Sequence, residues 1–311
     1  MPTVVALRRF LWAVAQPRTF YVLGAGASYG LIPVTTGLRN IIEKEYHSIG
    51  IYPAVKEQPS PLFERMIGTI PSHEQDIRRQ LLTHMPHGAL DLLTQRALWR
   101  PKTDLIPPQY GFFELTPSPA TIFNFNLDGL ASLHCAHRHI VLEPHGRIDD
   151  LWFERADFKA LLEGTIAYGL SLPHLSAKVL PSPEADGITL RPPYVKAQAL
   201  LPYARAIIIL GYSFGQRSNE FDDSNSLEFF VTLFKRNPRP ILVISPTPLE
   251  LVERLRDRLQ TSNVHDVPMR WEVFSGLLMD NLVSDQQPRF KGRDAGLRRL
   301  LYDYESRLDA Q

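Results

Sequence analysis

The chain has very little cysteine: Cys135 is the one cysteine among 311 residues. A single thiol cannot form an internal disulfide, and it cannot supply the ligands of a cysteine-rich structural zinc site. Net charge is equally small, because 34 lysine and arginine residues offset 33 aspartate and glutamate residues and leave a formal charge of +1. A chain this balanced has no overall field that would attract nucleic acid or an anionic membrane.

Long hydrophobic runs and internal repeats are missing as well. No apolar stretch approaches the roughly 20 residues that span a bilayer. The N-terminal segment is interrupted by Arg8 and Arg9 and does not resemble a secretory signal peptide. The sequence therefore predicts a soluble, cytoplasmic protein that binds neither nucleic acid nor membrane directly.

Short apolar runs alternate with helical patterns, which predicts a doubly wound, Rossmann-like α/β fold around a parallel sheet. The predicted strands are Phe20–Leu23, Thr121–Phe125, Ile140–Leu142, Ala206–Leu210, Ile241–Ile244 and Trp271–Phe274. The predicted helices lie around 34–46, 74–97, 127–136, 154–165, 194–204, 224–236 and 247–260. We interpret 1–311 as a single domain with a mostly helical insert over 40–118, between the first two strands, and a C-terminal helix over 285–311.

The loop after the first predicted strand consists of small residues. In a doubly wound fold, ligands bind beyond the carboxyl ends of the strands, so this loop is a candidate binding site. Small residues let backbone amides approach a phosphate group, and a following helix N-terminus adds a favourable dipole. The alternative is a tight glycine-rich turn without a ligand. The residues concerned are Gly24, Ala25, Gly26, Ala27 and Ser28.

Polar residues follow the second and third predicted strands. Asn126 and Asp128 come after the second strand, where they are candidates for ligand contact or, alternatively, for helix capping. His145 lies between Pro144 and Gly146 after the third strand. Because histidine titrates near neutral pH, it is a candidate base, and the alternative is a simple turn residue.

The remaining predicted strands end in further candidate loops. Gly211, Tyr212 and Ser213 follow the fourth strand, and the small residues there again favour close approach of the backbone to a ligand. Ser245 and Phe274 lie at the ends of the fifth and sixth predicted strands. Both would then share the same edge of the sheet with the other loops.

One cluster has residue types that bind metals: His134, Cys135, His137 and His139. His134 and His137 are three residues apart near the end of a predicted helix, a spacing that brings side chains to one face. The carboxylates that usually accompany histidines in hydrolytic metal sites are missing nearby. We therefore favour a solvated helix end and predict no metal.

Taken in order, these loops resemble the sirtuin-like family, in particular the bacterial sirtuin-like domains of antiphage defence. The family's GAG-x-S motif corresponds to Gly24–Ser28, and its N-x-D-G-L motif corresponds to Asn126–Leu130. Its His-Gly pair matches His145 and Gly146, and its G-x-S loop matches Gly211–Ser213. The resemblance extends over most of the chain.

Two departures from the family indicate an activity other than protein deacylation. Sirtuin deacylases carry a four-cysteine zinc ribbon, which a chain with Cys135 alone cannot build. They also use a glutamine immediately before the asparagine, where this chain has Phe125. The defence branch lacks the ribbon too, and its members look like NAD hydrolases.

The resemblance implies an NAD glycohydrolase that releases nicotinamide and ADP-ribose and depletes NAD during antiphage defence, with NAD as substrate rather than cofactor. Asn126 and His145 are the implied catalytic residues, Asn126 orienting water or the nicotinamide ribose and His145 acting as base. A non-catalytic subunit that binds NAD or ADP-ribose is the alternative. The implied dinucleotide-binding residues are Gly24, Ala25, Gly26, Ala27, Ser28, Asp128, Gly211, Tyr212, Ser213, Ser245 and Phe274.

Because an unregulated NAD hydrolase is toxic, we expect control by assembly. The resemblance implies a homo-oligomer or a partner such as a hexameric translocase-type ATPase or an Argonaute-like protein. Apolar residues of the N-terminal segment and of the predicted C-terminal helix are candidate contact surfaces, and the alternative is that both segments cap the domain. In the N-terminal segment these residues are Val4, Val5, Leu7, Phe10, Leu11 and Val14.

Overall fold

Six parallel strands form one sheet at the centre of the described structure. The computed structural model describes residues 3–31, 106–126, 128–144, 146, 191–214 and 224–276. The strands are β1 (Phe20–Leu23), β2 (Thr121–Asn124), β3 (Ile140–Leu142), β4 (Ile207–Leu210), β5 (Ile241–Ser245) and β6 (Val264–Pro268). Their spatial order is β3-β2-β1-β4-β5-β6, and every neighbouring pair is parallel. The predicted Rossmann-like α/β fold is confirmed.

Helices cover both faces of this sheet. They are α1 (Val4–Val14), α2 (Pro108–Gly111), α3 (Leu130–Cys135), α4 (Pro192–Leu200), α5 (Ser224–Arg236) and α6 (Leu249–Leu259). Short 3₁₀ turns occur at Ala25–Ser28, Phe112–Leu115 and Leu201–Tyr203. Residues of α1, α2 and α3 belong to the core on one face, and residues of α4, α5 and α6 to the core on the other.

Alternating residues of each strand supply the two cores. In β1, Tyr21 and Leu23 join the core of α1 and α3, whereas Phe20 and Val22 join the core of α5 and α6. All four are at most 1% exposed. Burying a side chain of this size contributes about 1.5–3 kcal/mol, which explains why these strands are continuous apolar runs rather than alternating ones.

The sixth strand differs from its prediction. We predicted it at Trp271–Phe274, but β6 is Val264–Pro268 and residues 271–276 are helical. Trp271 and Phe274 lie three residues apart and both pack on Phe10 of α1, with ring centroids 6.2 and 5.5 Å from its own. That spacing is typical of one helical face. The prediction missed β6 because it is an edge strand in which His265 and Asp266 are only partly buried.

Helix α1 caps the core of its own chain. Thr3 is its N-cap and accepts a hydrogen bond from the Ala6 amide at 3.2 Å. The apolar residues Leu7, Phe10, Leu11 and Val14 are buried beneath the helix. These four side chains are therefore unavailable to a partner, which favours the capping alternative for this segment. Val5 and Trp12, at 58% and 49% exposed, lie on its outer face.

Several sequence predictions fall outside the described residues. These are the helices around 34–46, 74–97 and 154–165, most of the insert over 40–118, and the C-terminal helix over 285–311. The described end of the insert contains α2 and the turn Phe112–Leu115. None of the helices in the described ranges is both long enough and apolar enough to span a bilayer.

Candidate functional site

The loops that follow β1, β2 and β4 meet at one edge of the sheet. These three strands are neighbours, with β1 in the middle, and their carboxyl ends point the same way. The chain runs from β1 to strands on both of its sides, so the strand order reverses between β1 and β4. Ligands of doubly wound folds bind at such a reversal.

Glycines let the β1 and β4 loops touch through their backbones. The Gly26 amide donates to the Gly211 carbonyl at 3.0 Å, and the Gly24 amide donates to the Leu210 carbonyl at 3.0 Å. A Cβ atom on Gly26 would lie 2.7 Å from the Gly211 Cα, and one on Gly24 would lie 2.5 Å from the Tyr212 ring. The glycines therefore have a packing role between the loops, in addition to any role near a phosphate.

The amides of the β1 loop are mostly engaged within the protein. Besides those of Gly24 and Gly26, the Ala27 amide donates to the Gly24 carbonyl at 2.9 Å. Ala27 and Ser28 are buried, and Ala25 is the exposed residue of the loop. The predicted phosphate contact of 24–28 stays a prediction, and Ala25 is the position at which the loop backbone reaches the surface.

Ser28 is the centre of a buried hydrogen-bond network. Its Oγ lies 2.6 Å from the Tyr110 hydroxyl and 2.6 Å from Asp128 Oδ2. It also accepts a hydrogen bond from Asn126 Nδ2 at 3.1 Å. Ser28 is 0% exposed. The network joins residues from three separate parts of the chain. Three of its four members, Ser28, Asn126 and Asp128, were predicted from the sequence.

Asn126 is held in place by its neighbours after β2. Besides its bond to Ser28, its Nδ2 donates to the Gly24 carbonyl at 3.0 Å. Its backbone amide donates to Asn124 Oδ1 at 3.2 Å, and its backbone carbonyl accepts from Asn124 Nδ2 at 3.3 Å. Both side-chain amide hydrogens of Asn126 are thus used within the protein, and its Oδ1 is the remaining hydrogen-bonding atom of that group.

Asp128 is the carboxylate of this cluster. Its Oδ1 accepts from the Leu130 amide at 2.9 Å, at the start of α3, and its Oδ2 accepts from Ser28. It is only partly buried, unlike Ser28 and Asn126. Desolvation raises the pKa of Asp128, and the two donated hydrogen bonds oppose that rise. The bond to the Leu130 amide places Asp128 at the first turn of α3, and its contact with a ligand stays a prediction.

Tyr110 is a member of the network that sequence analysis missed. It lies in α2, 82 residues from Ser28 along the chain, and is 1% exposed. Its neighbour Gln109 donates from Nε2 to the Tyr29 carbonyl at 3.1 Å, and the Gln109 carbonyl accepts from Trp271 Nε1 at 3.3 Å. No local pattern marks Tyr110, because its role depends on tertiary contacts at both sides of α2.

Phe125, which replaces the family's glutamine, is packed rather than exposed. Its ring stacks on Tyr212 with a centroid distance of 4.1 Å and an interplanar angle of 15°. Tyr212 contacts Phe214 in turn, at 4.6 Å. The β2 and β4 loops are therefore joined by an aromatic stack on the face of α5, which stabilises the edge of the sheet but offers no polar side-chain group at position 125.

The other predicted binding residues lie around this network. The Ser213 carbonyl accepts from Arg254 Nη2 at 3.2 Å, so a cation from α6 stands behind the β4 loop. Ser245 Oγ accepts from the Thr247 amide at 3.1 Å in the turn after β5. Phe274 is 9% exposed and packs on Phe10 from a helix, so it is not in a loop after a strand. His145 lies outside the described residues, directly before Gly146.

The histidine cluster around α3 has a structural arrangement in the described residues. Glu114 Oε1 pairs with exposed His137 at 2.8 Å, and its Oε2 accepts from Arg138 at 2.7 Å. The described residues contain no group of three or more potential metal ligands. Buried His139 accepts from the Ala120 amide through Nδ1 at 3.1 Å and reaches the Phe113 carbonyl through Nε2 at 2.8 Å. These partners fix the neutral tautomer with hydrogen on Nε2.

We expect acid to destabilise the protein through His139. Desolvation lowers the pKa of His139, and a hydrogen on Nδ1 would oppose the Ala120 amide. Below a pH of about 6.5 the unfolded chain binds a proton that folded His139 does not, so the free energy of unfolding falls as the pH falls. Urea unfolding of wild type and His139→Gln from about pH 7.5 to pH 5.5 should show a shallower loss in the variant.

The exposed His137 supplies the control for this measurement. His137→Gln should keep the pH dependence of the wild type more closely than His139→Gln does, because its side chain is 54% exposed. Equal slopes for wild type and His139→Gln would contradict the assignment of the acid sensitivity to His139.

In comparisons with known proteins, no family model matches the chain and no curated protein matches it. The resemblance to sirtuin-like proteins therefore depends on the four short motifs alone. Three of those motifs follow β1, β2 and β4. The first two supply Ser28, Asn126 and Asp128 of the network, and the third contacts the β1 loop, where the Gly26 amide donates to the Gly211 carbonyl.

Proposed function

We propose that this protein is an NAD glycohydrolase that cleaves the nicotinamide–ribose bond, and that it depletes NAD as an antiphage defence effector. The observation that carries the proposal is the meeting of Asn126, Ser28 and Asp128 beside the two glycine loops. The two glycine loops, after β1 and β4, lie at the reversal of strand order, where a Rossmann-like fold binds dinucleotides, and the cluster joins the β1 loop to the β2 loop beside them. The motif order of the sirtuin-like family supports the same substrate.

The chemistry of NAD hydrolysis requires little from the protein. The C–N bond breaks with its electron pair moving to the pyridinium nitrogen, so nicotinamide leaves as a neutral molecule and needs no general acid. The sugar carbon becomes oxocarbenium-like, as in glycoside hydrolysis. Water then forms the new C–O bond and gives up one proton to a base. Positioning, water control and one basic group are sufficient.

The residues of the site match these requirements. The partly exposed carboxylate of Asp128 is suited to bind a ribose hydroxyl near the developing positive charge. Asn126, whose amide nitrogen is fixed by Gly24 and Ser28, has Oδ1 as the atom that can accept a hydrogen bond from water. His145 remains our proposed base. Arg254, behind the Ser213 carbonyl, places positive charge near the edge where a pyrophosphate would lie.

NAD turnover by the purified full chain tests this proposal. We expect nicotinamide release by wild type, either alone or with its activating partner, and a loss of at least about tenfold in Asn126→Ala and in His145→Ala. The release is measured by chromatography. Asn263→Ala is the matched control, because Asn263 precedes β6 at the opposite edge of the sheet, and it should retain wild-type turnover. Equal turnover by wild type and Asn126→Ala would contradict the site assignment.

A second candidate function is binding of NAD or ADP-ribose without turnover, in a regulatory or scaffold subunit. The observation that favours it is that the Asn126 amide hydrogens and the Ser28 hydroxyl are already engaged within the protein. Calorimetry distinguishes the two functions. Tight NAD binding without nicotinamide release under any activating condition would support the second candidate over the first.

Assembly belongs to the same proposal. An NAD-depleting enzyme has to be inactive until infection, and we propose activation by self-association or by a partner, such as a hexameric translocase-type ATPase or an Argonaute-like protein. Since Leu7, Phe10 and Leu11 are buried in the core of their own chain, a contact through α1 would have to use its outer face with Val5 and Trp12.

A further inference from the structure

We propose that Tyr110 is a positioning residue for the proposed reaction: through the Ser28 hydroxyl it orients Asp128, the group that meets the ribose of bound NAD. This inference rests on the proposed function for its substrate, but its structural part concerns the hydrogen bonds alone.

The direction of each hydrogen bond follows from counting hydrogens. An ionised carboxylate only accepts, so the single hydroxyl hydrogen of Ser28 goes to Asp128 Oδ2 at 2.6 Å. The 2.6 Å contact between Ser28 and Tyr110 must then use the hydrogen of Tyr110. With the bond from Asn126 Nδ2, the Ser28 oxygen donates once and accepts twice, which is its full capacity. The chain of hydroxyls runs from Tyr110 through Ser28 to Asp128.

The titratable groups beside these hydrogen-bonded hydroxyls are neutral near pH 7. Desolvation and the charge of Asp128 keep the pKa of Tyr110 well above its ordinary value, so the phenol stays protonated. On α3, His134 contacts the Tyr110 ring at a centroid distance of 6.1 Å. Desolvation lowers the pKa of His134 and raises that of Cys135. The hydroxyls end on the carboxylate of Asp128, whose pKa is raised by desolvation and lowered by the hydrogen bonds from Ser28 and Leu130.

Protonation of Asp128 would reverse the direction of the hydrogen bonds that link Tyr110, Ser28 and Asp128. A proton on Oδ2 would point at the Ser28 oxygen, which already accepts from Tyr110 and Asn126. A proton on Oδ1 would oppose the Leu130 amide. Tyr110 thus favours the charged, fixed carboxylate over the neutral acid, and it does so without contacting the substrate. Donors in a chain also strengthen one another, so Tyr110 increases the donation by Ser28.

Tyr110→Phe removes the hydroxyl and keeps the ring, and it has a matched control. Tyr194 on α4 is as buried as Tyr110, and its hydroxyl bonds Ser226 Oγ at 2.8 Å in the opposite core. Tyr194→Phe therefore deletes a similar buried hydroxyl on the other face of the sheet from the Ser28 network. We expect Tyr110→Phe to raise the pKa of Asp128 by about one unit, and Tyr194→Phe to leave it unchanged.

The experiment titrates the aspartate carboxyl carbons by ¹³C NMR in the full chain, with Asp128→Asn assigning the signal. The same variants are assayed for NAD turnover. We expect Tyr110→Phe to lower kcat about tenfold, with less change in KM. Thermal unfolding should show that both phenylalanine variants are folded.

The outcomes separate the inference from the proposed function. An unchanged Asp128 pKa in Tyr110→Phe overturns the inference, whatever the activity. A raised pKa with a wild-type kcat overturns the positioning role in the reaction. A raised pKa in a protein that never cleaves NAD contradicts the glycohydrolase proposal and, with it, that positioning role, while leaving the structural link from Tyr110 to Asp128 supported.

Discussion

Replacing Gly211 by alanine is expected to lower the free energy of unfolding by about 2–5 kcal/mol. Gly211 has a φ of +60°, a conformation that costs an alanine about 1–2 kcal/mol. The new Cβ would also lie 2.5 Å from the Gly26 Cα, and this neighbour is backbone that cannot rotate away. The β1 and β4 loops must then separate, which also breaks the bond from the Gly26 amide to the Gly211 carbonyl. Urea unfolding measures the loss.

Two other glycines separate backbone strain from steric overlap. A Cβ on Gly30 meets no atom of the described residues within 4 Å, but its φ is +84°, so Gly30→Ala should cost only about 1–2 kcal/mol. A Cβ on Gly276 also meets no atom of the described residues within 4 Å, and its φ is not positive, so Gly276→Ala should be close to neutral. A loss for Gly211→Ala no larger than that for Gly30→Ala would show that the two loops are not tightly packed against each other.

Burial of the strands on both faces explains why most of the sheet could be predicted from the sequence. β1 and β4 are buried on both faces, so their residues form continuous apolar runs such as Ile207–Leu210, which few other structures require. The order of the strands in space, in contrast, depends on packing between distant segments. β6 escaped prediction because an edge strand needs fewer apolar residues, and the nearby pair Trp271 and Phe274 belongs to a helix that packs on α1.

The candidate site also contains residues that could be predicted from the sequence and residues that could not. Ser28, Asn126 and Asp128 could be predicted, because each lies within about five residues of a strand end and the carboxyl ends of parallel strands share one edge. Tyr110 could not, since it lies in α2 at the end of a long connection and reaches Ser28 only in the folded chain. The stacking of Phe125 on Tyr212 could not be predicted either. A phenylalanine in place of the family's glutamine shows that the polar group is missing, but it does not show which residue the new ring contacts.

Ser28→Ala is expected to destabilise the protein by about 2–4 kcal/mol, because it removes the shared partner of three groups. The Tyr110 hydroxyl loses its acceptor, Asn126 Nδ2 loses one of its two acceptors, and Asp128 Oδ2 loses its donor. Asp128 is partly exposed, so water replaces part of its loss. The buried hydroxyl and amide have no such replacement, and they account for most of the cost. Urea unfolding of the single variant measures it.

A double-mutant cycle tests whether the network acts as one unit. In wild type, Tyr110→Phe removes a bond to Ser28, and we expect it to cost about 1 kcal/mol. After Ser28→Ala it removes a hydroxyl that no longer has a partner, so the second change should cost nothing or restore stability. The coupling energy should reach about 1–3 kcal/mol. The pair Tyr194 and Ser226 is the comparison pair of buried hydroxyls in the opposite core, and its coupling should be smaller than that of Tyr110 and Ser28.

Additive losses for Tyr110 and Ser28 would mean that the 2.6 Å contact between their oxygens carries little energy. Tyr110 would then be a core residue whose hydroxyl happens to lie near Ser28. Strong coupling would instead show that the segment ending the long connection before β2 and the loop after β1 stabilise each other through one hydroxyl. Because that hydroxyl also donates to Asp128, the same bond that stabilises the fold would fix the carboxylate that we propose for the chemistry.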